Sequence, residues 1–206
     1  MSLIQDVRSI TPALSTPELL RFLIEERFPG KTVVTASLRA RSIVVLKLVA
    51  DIDPGCPVVF CHPGNIFPES LAYRARIVEQ LGLTNVTTSS GHEVETLPGD
   101  HDHCERMWAE DKDGGMRVFE IVHLNETLAP YDCWISAVYH VARPPGLRQR
   151  VDIYGRLIGV DPLLHWTQDE VRAFMREHEL ASHPRAARRK PAPPKEQVPL
   201  PPSYNY

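Results

Sequence analysis

Residues 31 to 70 read KTVVTASLRARSIVVLKLVADIDPGCPVVFCHPGNIFPES. Thr32 to Ala36 is a short apolar, β-branched run, and Ser37-Leu38-Arg39-Ala40-Arg41-Ser42 separates it from the helical run Ile43, Val44, Val45, Leu46, Leu48 and Val49. That order predicts a buried parallel strand handing its C-terminal end to a helix N-terminus. The first helical N–H groups lack internal partners and the helix dipole favours an anion there. Two hydroxyls, Ser37 and Ser42, and two guanidinium groups, Arg39 and Arg41, flank those N–H groups. A phosphate or a sulfate suits such a junction. A second strand, Val58 to Cys61, runs into His62-Pro63-Gly64-Asn65-Ile66-Phe67-Pro68-Glu69, and two strand ends side by side define the crevice where open α/β sheets bind ligands.

Outward from this unit, the opening MSLIQDVRSITPAL reads as an extended or loosely docked arm. Ser15 with Pro17 starts a helix through Phe28, with Leu19, Leu20, Leu23 and Ile24 on its buried face. Another helix begins at Pro68 and runs to Gly82, and a strand follows at residues 85 to 88. Residues 89 to 115 form a long hydrophilic, glycine-bearing segment. Residues 117 to 128 are expected to be helical ahead of a strand at Cys133. Thr167 and Glu170 make a capping box for a last helix whose core face is Val171, Phe174 and Met175. From Ala186 the chain turns basic and proline-rich, which suits a polyproline-type or solvated tail. The expected organisation is an arm over 1–14, one nucleotide-binding domain over 15–184 and a tail over 185–206.

With 206 residues, 43% hydrophobic and 24% charged, the chain can bury one substantial core. A net charge of −3 gives no reason to expect nucleic acid as a partner. No apolar stretch is long enough to span a membrane and no leader pattern opens the chain, so a cytoplasmic location is expected. Cys56, Cys61, Cys104 and Cys133 lack framework spacing and read as free thiols. Cys56 and Cys61 are five apart around a strand, so they face opposite sides of the sheet. His101, His103 and Cys104 lie close in sequence, but neighbouring positions diverge on regular elements and zinc usually takes a second cluster, so no metal site is expected.

The order of parts resembles the phosphoadenosine phosphosulfate (PAPS) reductase family, within the adenine nucleotide alpha hydrolase-like group. That family carries a Ser-Gly-Gly-Lys-Asp-Ser loop after the first strand and a Leu-Asp-Thr-Gly loop leading to Phe-Pro-Glu-Thr after the second. Here Ser37 and Ser42 stand at the ends of the first loop, and Gly64, Phe67, Pro68, Glu69 and Ser70 fall on the second. Asp132-Cys133-Trp134-Ile135-Ser136 resembles the family's Ala-Trp-Ile-Ser/Thr-Gly strand. Gly155-Arg156-Leu157-Ile158, Asp161-Pro162-Leu163 and Trp166 to Val171 resemble its later Asn-Pro-Leu and Asp-Trp-Thr segment. The similarity spans about residues 15 to 184 and implies a doubly wound, mostly parallel α/β sheet of about five strands with helices on both faces. It further implies an adenine nucleotide or sulfonucleotide ligand at the C-terminal ends of the strands, a thiol-donor protein as partner, and a dimer as in many relatives.

The resemblance places Ser37, Arg39, Arg41, Ser42, Gly64, Glu69, Trp134, Arg143 and Arg148 around the nucleotide. Arg143 and Arg148 stand in for the family's anion-gripping arginines, a few positions later than its pattern. The departures are chemical. Leu38, Arg39, Ala40 and Arg41 replace the Gly-Gly-Lys-Asp of the first loop, which narrows the approach to a phosphate while keeping forked donors. His62 and Pro63 replace Asp and Thr. No Cys-x-x-Cys occurs, so no iron-sulfur cluster is expected. The family's nucleophilic cysteine lies in a C-terminal Glu-Cys-Gly tail, whereas this chain ends PPSYNY. If thiol chemistry is retained, Cys104, flanked by His103 and Arg106, is the expected catalytic residue. The alternative is a non-reductase descendant, a nucleotide-binding regulator, a subunit of a sulfur-transfer assembly, or a nucleotide-processing enzyme with His62 as general base.

Overall fold

The computed structural model of the chain describes residues 3–62, 67–90, 127–136 and 149–185. The described strands are β1 (Thr32–Ala36), β2 (Val58–His62), β3 (Val86–Ser90), β4 (Cys133–Ser136), β5 (Val151–Tyr154) and β6 (Leu157–Val160). They form one six-stranded sheet in the order β3-β2-β1-β4-β6-β5, parallel except for β5, which runs antiparallel to β6. The described helices are α1 (Leu3–Ile10), α2 (Thr16–Arg21), α3 (Ala40–Ala50), α4 (Pro68–Leu81) and α5 (Gln168–Glu177). The α/β class and mostly parallel sheet are as expected. The sheet has six strands rather than about five, because residues 151–160 fold as a hairpin.

The hairpin turns on Gly155, whose φ of 61° belongs to the left-handed region that a glycine enters without steric penalty. All five side-chain positions of β1 are buried, which is why its sequence is a continuous β-branched run rather than an alternating one. Its two faces differ. Val34 and Ala36 join Val58, Phe60, Cys133, Ile135, Ile158 and Val160 in a large core against α2, α3, α4 and α5. Val33 joins Val59, Leu128 and Leu157 in a smaller one on the opposite face, with Cys61, Tyr131 and Trp134 at its margin.

Helix boundaries follow local chemistry. Ser15 and Glu18 form a reciprocal capping box at α2, and Thr167 and Glu170 form another at α5. Past Arg21 the chain widens into a π-helical stretch, Phe22–Arg27, closed by Phe28 N–H to Leu23 C=O at 3.0 Å. Helix α4 starts with Pro68 and ends on Gly82 at φ 64°.

The opening segment is not an extended arm. Residues 3–10 are helical, Val7 is fully buried, and Arg8 reaches β5 by hydrogen bonds to Val151 C=O (3.1 Å) and the Asp152 carboxylate (2.8 Å). Arg150 then holds Leu14 C=O at 2.8 Å and Thr16 Oγ1 at 2.9 Å. Among the described residues, no helix is long and apolar enough to cross a membrane.

Candidate functional site

The strand order fixes where a ligand is expected. From β1 the chain moves outward through β2 to β3, then returns to β4 on the other side of β1. Right-handed crossovers put α3 and α4 on one face. The described end of the β3-to-β4 connection lies on the other, with Leu128 packed on Val33, Val59 and Leu157. The reversal occurs between β1 and β4, so the crevice of an open α/β sheet opens at the C-terminal ends of those two strands. Sequence alone places it between the Ser37 and His62 loops, the ends of β1 and β2; the observed order moves its centre one strand over.

Two hydroxyls that sequence reasoning missed stand at this point. Thr35 and Ser136 are register partners across β1 and β4, each about 1% exposed, with Thr35 Oγ1 to Ser136 Oγ at 3.5 Å. The Trp134 indole N–H donates to Thr35 Oγ1 at 2.8 Å. Trp134, expected at the site, is therefore held beside it by a buried threonine. The available signal was a polar residue at the end of an otherwise apolar strand.

The loop beyond β1 is fastened on itself. Ser42 is fully buried; its Oγ accepts the Ser37 N–H at 3.1 Å and pairs with Ser37 Oγ at 3.0 Å. The Arg39 N–H points to Ser37 Oγ at 3.4 Å. Arg39 is the exposed, extended residue preceding α3, and the N–H groups of Ala40, Arg41 and Ser42 lie ahead of the first helical bond, from Ile43 N–H to Arg39 C=O at 3.0 Å. The structure thus brings together Ser37, Arg39 and Ser42 beyond β1 and holds the Trp134 indole on Thr35, two residues before Ser37.

Arg41 requires a correction. Its guanidinium donates to Trp166 C=O at 3.1 Å and to Leu163 C=O, and stands 3.8 Å from the Asp161 carboxylate. It ties α3 to the segment ahead of α5 instead of pointing into the crevice. Glu69 is likewise engaged: Arg185 donates to its Oε1 from Nε (2.9 Å) and Nη2 (2.8 Å), with the guanidinium carbon 3.4 Å from the Phe67 ring centroid. The carboxylate expected to face nucleotide is neutralised by an arginine from the far end of the chain. Ser70, beside it, pairs with His183.

His62 ends β2, opposite Ser90 of β3, and its side chain lies outside the described residues. Gly64, Cys104, Arg143 and Arg148 also lie outside them, as do His101 and His103. Among the described residues, no cluster of His, Cys, Asp and Glu is arranged to hold a metal. Of the described thiols, Cys56 and Cys133 sit at the N-terminal ends of the strands. Burial pushes each up to about 12, which leaves them protonated and unreactive near neutrality. Cys61 is half-buried near the C-terminal end of β2, facing the smaller core, so Cys56 and Cys61 do lie on opposite faces.

Known proteins of similar sequence and shape match this arrangement. The family model of the phosphoadenosine phosphosulfate reductase domain matches residues 31–185. A phosphoadenosine 5'-phosphosulfate reductase of Alkalilimnicola ehrlichii is 29% identical over 188 residues, covering 88% of this chain and 75% of that protein. An adenosine 5'-phosphosulfate reductase of Mesorhizobium japonicum is 28% identical over 171 residues, covering 82% of this chain and 66% of that one. Among solved structures, a PAPS reductase from Candida auris in complex with phosphate superposes with a TM-score of 0.62 at 16% identity, covering 89% of this chain and 90% of that one. NMN synthetase from Francisella tularensis superposes at 0.50 and 10% identity, covering 88% of this chain and 73% of that one, a likeness of fold alone. With its strand order, its serine-bounded loop and a family match over three quarters of its length, the chain belongs to the phosphoadenosine phosphosulfate reductase domain family.

Proposed function

We propose that the chain binds an adenine sulfonucleotide, phosphoadenosine phosphosulfate or adenosine phosphosulfate, across the C-terminal ends of β1 and β4. The observation that carries this is the coincidence of the switch point with the Ser37–Ser42 loop, which ends in the N-terminus of an eleven-residue helix. In this reading the first-turn N–H groups of α3 and the exposed Arg39 receive the sulfate or phosphate. The Thr35–Trp134–Ser136 cluster forms the floor beneath the nucleotide. Arg41 and Glu69 act at one remove, fixing the helices that shape the walls.

Reduction of such a ligand needs a thiolate that takes the sulfonate from the nucleotide, releasing the nucleoside phosphate, and a second thiol that then frees sulfite as a disulfide forms. Cys56 and Cys133 are unsuited because they are buried and protonated. The nucleophile in this reading is Cys104 or the thiol of a donor protein. The second reading, a descendant that binds the nucleotide without reducing it, is favoured by those same two inert thiols.

Calorimetric titration with phosphoadenosine phosphosulfate, adenosine phosphosulfate, phosphoadenosine phosphate and ATP at one salt concentration tests the binding. A preference for a sulfonucleotide that weakens at least about tenfold in Arg39→Ala, the effect of losing one charge-assisted bond, is expected. Binding of none of the four would overturn it. Sulfite release by the wild type separates the reductase from the non-reductase reading, and its loss in Cys104→Ser assigns the nucleophile to Cys104 rather than to a donor thiol.

A further inference from the structure

We infer that residues 180–185 form a proton-operated strap, closed on the N-terminus of α4 while His183 is neutral and opened when its imidazole takes a second proton. The strap is well attached. Tyr73 Oη donates to Ala181 C=O at 2.7 Å, and Gln80 Nε2 donates to Glu179 C=O at 3.2 Å. His183 is 5% exposed, its ring edge-on to Tyr73 at 5.0 Å between centroids.

The hydrogen bonds assign the tautomer. The Arg185 backbone N–H points to His183 Nδ1 at 3.1 Å, and an amide N–H can only donate, so Nδ1 offers its lone pair. The proton of the neutral ring is then on Nε2, which stands 3.0 Å from Ser70 Oγ and donates to it. This excludes a serine–histidine nucleophile couple, because the nitrogen facing the serine already carries a proton. It also makes the contact sensitive to protonation. A cationic ring places N–H against N–H at Nδ1, so the bond that closes the 183–185 turn is lost.

The charges around the ring act in both directions. The Arg185 guanidinium opposes a cation; the Glu69 carboxylate favours one but is itself paired with Arg185. Arg76 of α4 lies 5.4 Å from the centroid of the Tyr73 ring, against which His183 packs. Burial first and Arg185 second hold His183 below its ordinary value of 6.5, against the pull of Glu69. A folded-state value below the unfolded one means that the strap's contribution is fully present above the unfolded value. It is lost as pH falls through the lower folded value.

Phe67, Glu69 and Ser70, which the strap grips, follow β2 at the C-terminal end of the strands. The consequence for nucleotide binding rests on the function proposed above, so the test is run without nucleotide. On the full chain, the His183 Cε1–H resonance is titrated by NMR, and amide exchange is followed from about pH 7.5 to about pH 5, corrected for intrinsic rates. The expected result is a loss of protection in 67–73 and 180–185, up to about tenfold per pH unit for one proton, with the midpoint of the His183 titration. Amides of β1 and β4 should hold their protection. His183→Gln, whose amide N–H can still meet Ser70 but does not titrate, should lack the step. Glu69→Gln, which removes the group that favours the cation, should move the step to lower pH. Flat protection in wild type, the same step in His183→Gln, or an unmoved midpoint in Glu69→Gln would each overturn the inference.

Discussion

Strands β2, β1 and β4 lie side by side, yet their two ends are finished in different ways. At the N-terminal end, Thr32 sits between Cys56 and Cys133, and its hydroxyl meets main-chain carbonyls and the Cys133 thiol. Thr32 Oγ1 is within 3.2 Å of Phe28 C=O and 3.4 Å of Leu23 C=O, and Cys56 Sγ is 4.0 Å from Thr32 C=O. At the C-terminal end, Thr35, Ser136, Ser37 and Ser42 bond largely to one another and to Trp134. A hydroxyl has one donor and two acceptor positions, so hydroxyls that pair with each other retain capacity that a donor aimed at a carbonyl does not. One end is closed largely on carbonyls; the other is built of hydroxyls linked to one another.

The sharpest test of the closed end is chemical. Thiols held near 12 carry about 10³-fold less thiolate than an ordinary cysteine at the same pH, so Cys56 and Cys133 should stay unmodified in native protein under alkylation while half-buried Cys61 is labelled before either. Peptide mapping after timed labelling reads this; early labelling of Cys133 would contradict it. Next in size is Ile135→Ala, midway along β4 and fully buried, which should lower unfolding free energy in denaturant titration by about 2–5 kcal/mol without favouring either end.

Comparing Thr35→Val with Thr32→Val separates the ends directly. Thr35→Val leaves the Trp134 indole N–H without its acceptor and should cost about 1–3 kcal/mol. Thr32→Val removes a hydroxyl that meets the Phe28 and Leu23 carbonyls and the weakly bonding Cys133 thiol, and should cost about 0.5–1.5 kcal/mol. Equal losses would mean that the hydroxyl cluster is no more dependent on its internal bonds than the carbonyl-bound end. The smallest effect lies away from both, at the α5 capping box. Thr167→Ala should cost about 1 kcal/mol by thermal unfolding. Hydrogen bonds from Thr167 hold the Glu170 carboxyl below its ordinary 4.5, so the contribution of the box is present above that value and fades as pH falls through the lower folded one.

Much of this architecture was legible because it is local. The β-branched run of β1, the Pro68 start and Gly82 stop of α4, and the Thr167–Glu170 box are decided within a few residues of themselves. What could not be read depends on partners distant in sequence. The β1/β4 switch point is a property of strand order, so Thr35 and Ser136 acquire meaning only once paired. Arg41 looks like an anion ligand until carbonyls 122 and 125 residues away claim it. Glu69 looks like a ligand contact until Arg185, 116 residues on, is beside it. The β5 strand is hard to read because its four residues are too few to show a clear period; the two-residue Gly155-Arg156 turn is the local mark of the hairpin.

The docking of α1 has a further consequence for colloidal behaviour. The bond from Asp161 N–H to Arg150 C=O sets the ladder so that Arg150, Asp152 and Tyr154 face β6, while the peptide groups of Val151 and Ile153 face outward from the last strand. Arg8 occupies the outward Val151 carbonyl, and the Asp152 carboxylate occupies the outward Ile153 N–H at 2.9 Å. A free strand margin is a template on which other chains can crystallise into fibrils, and here a single ion pair sits across it. The first helix therefore caps the outer edge of β5, and its detachment would leave the Val151 carbonyl open to pairing with a strand of another chain.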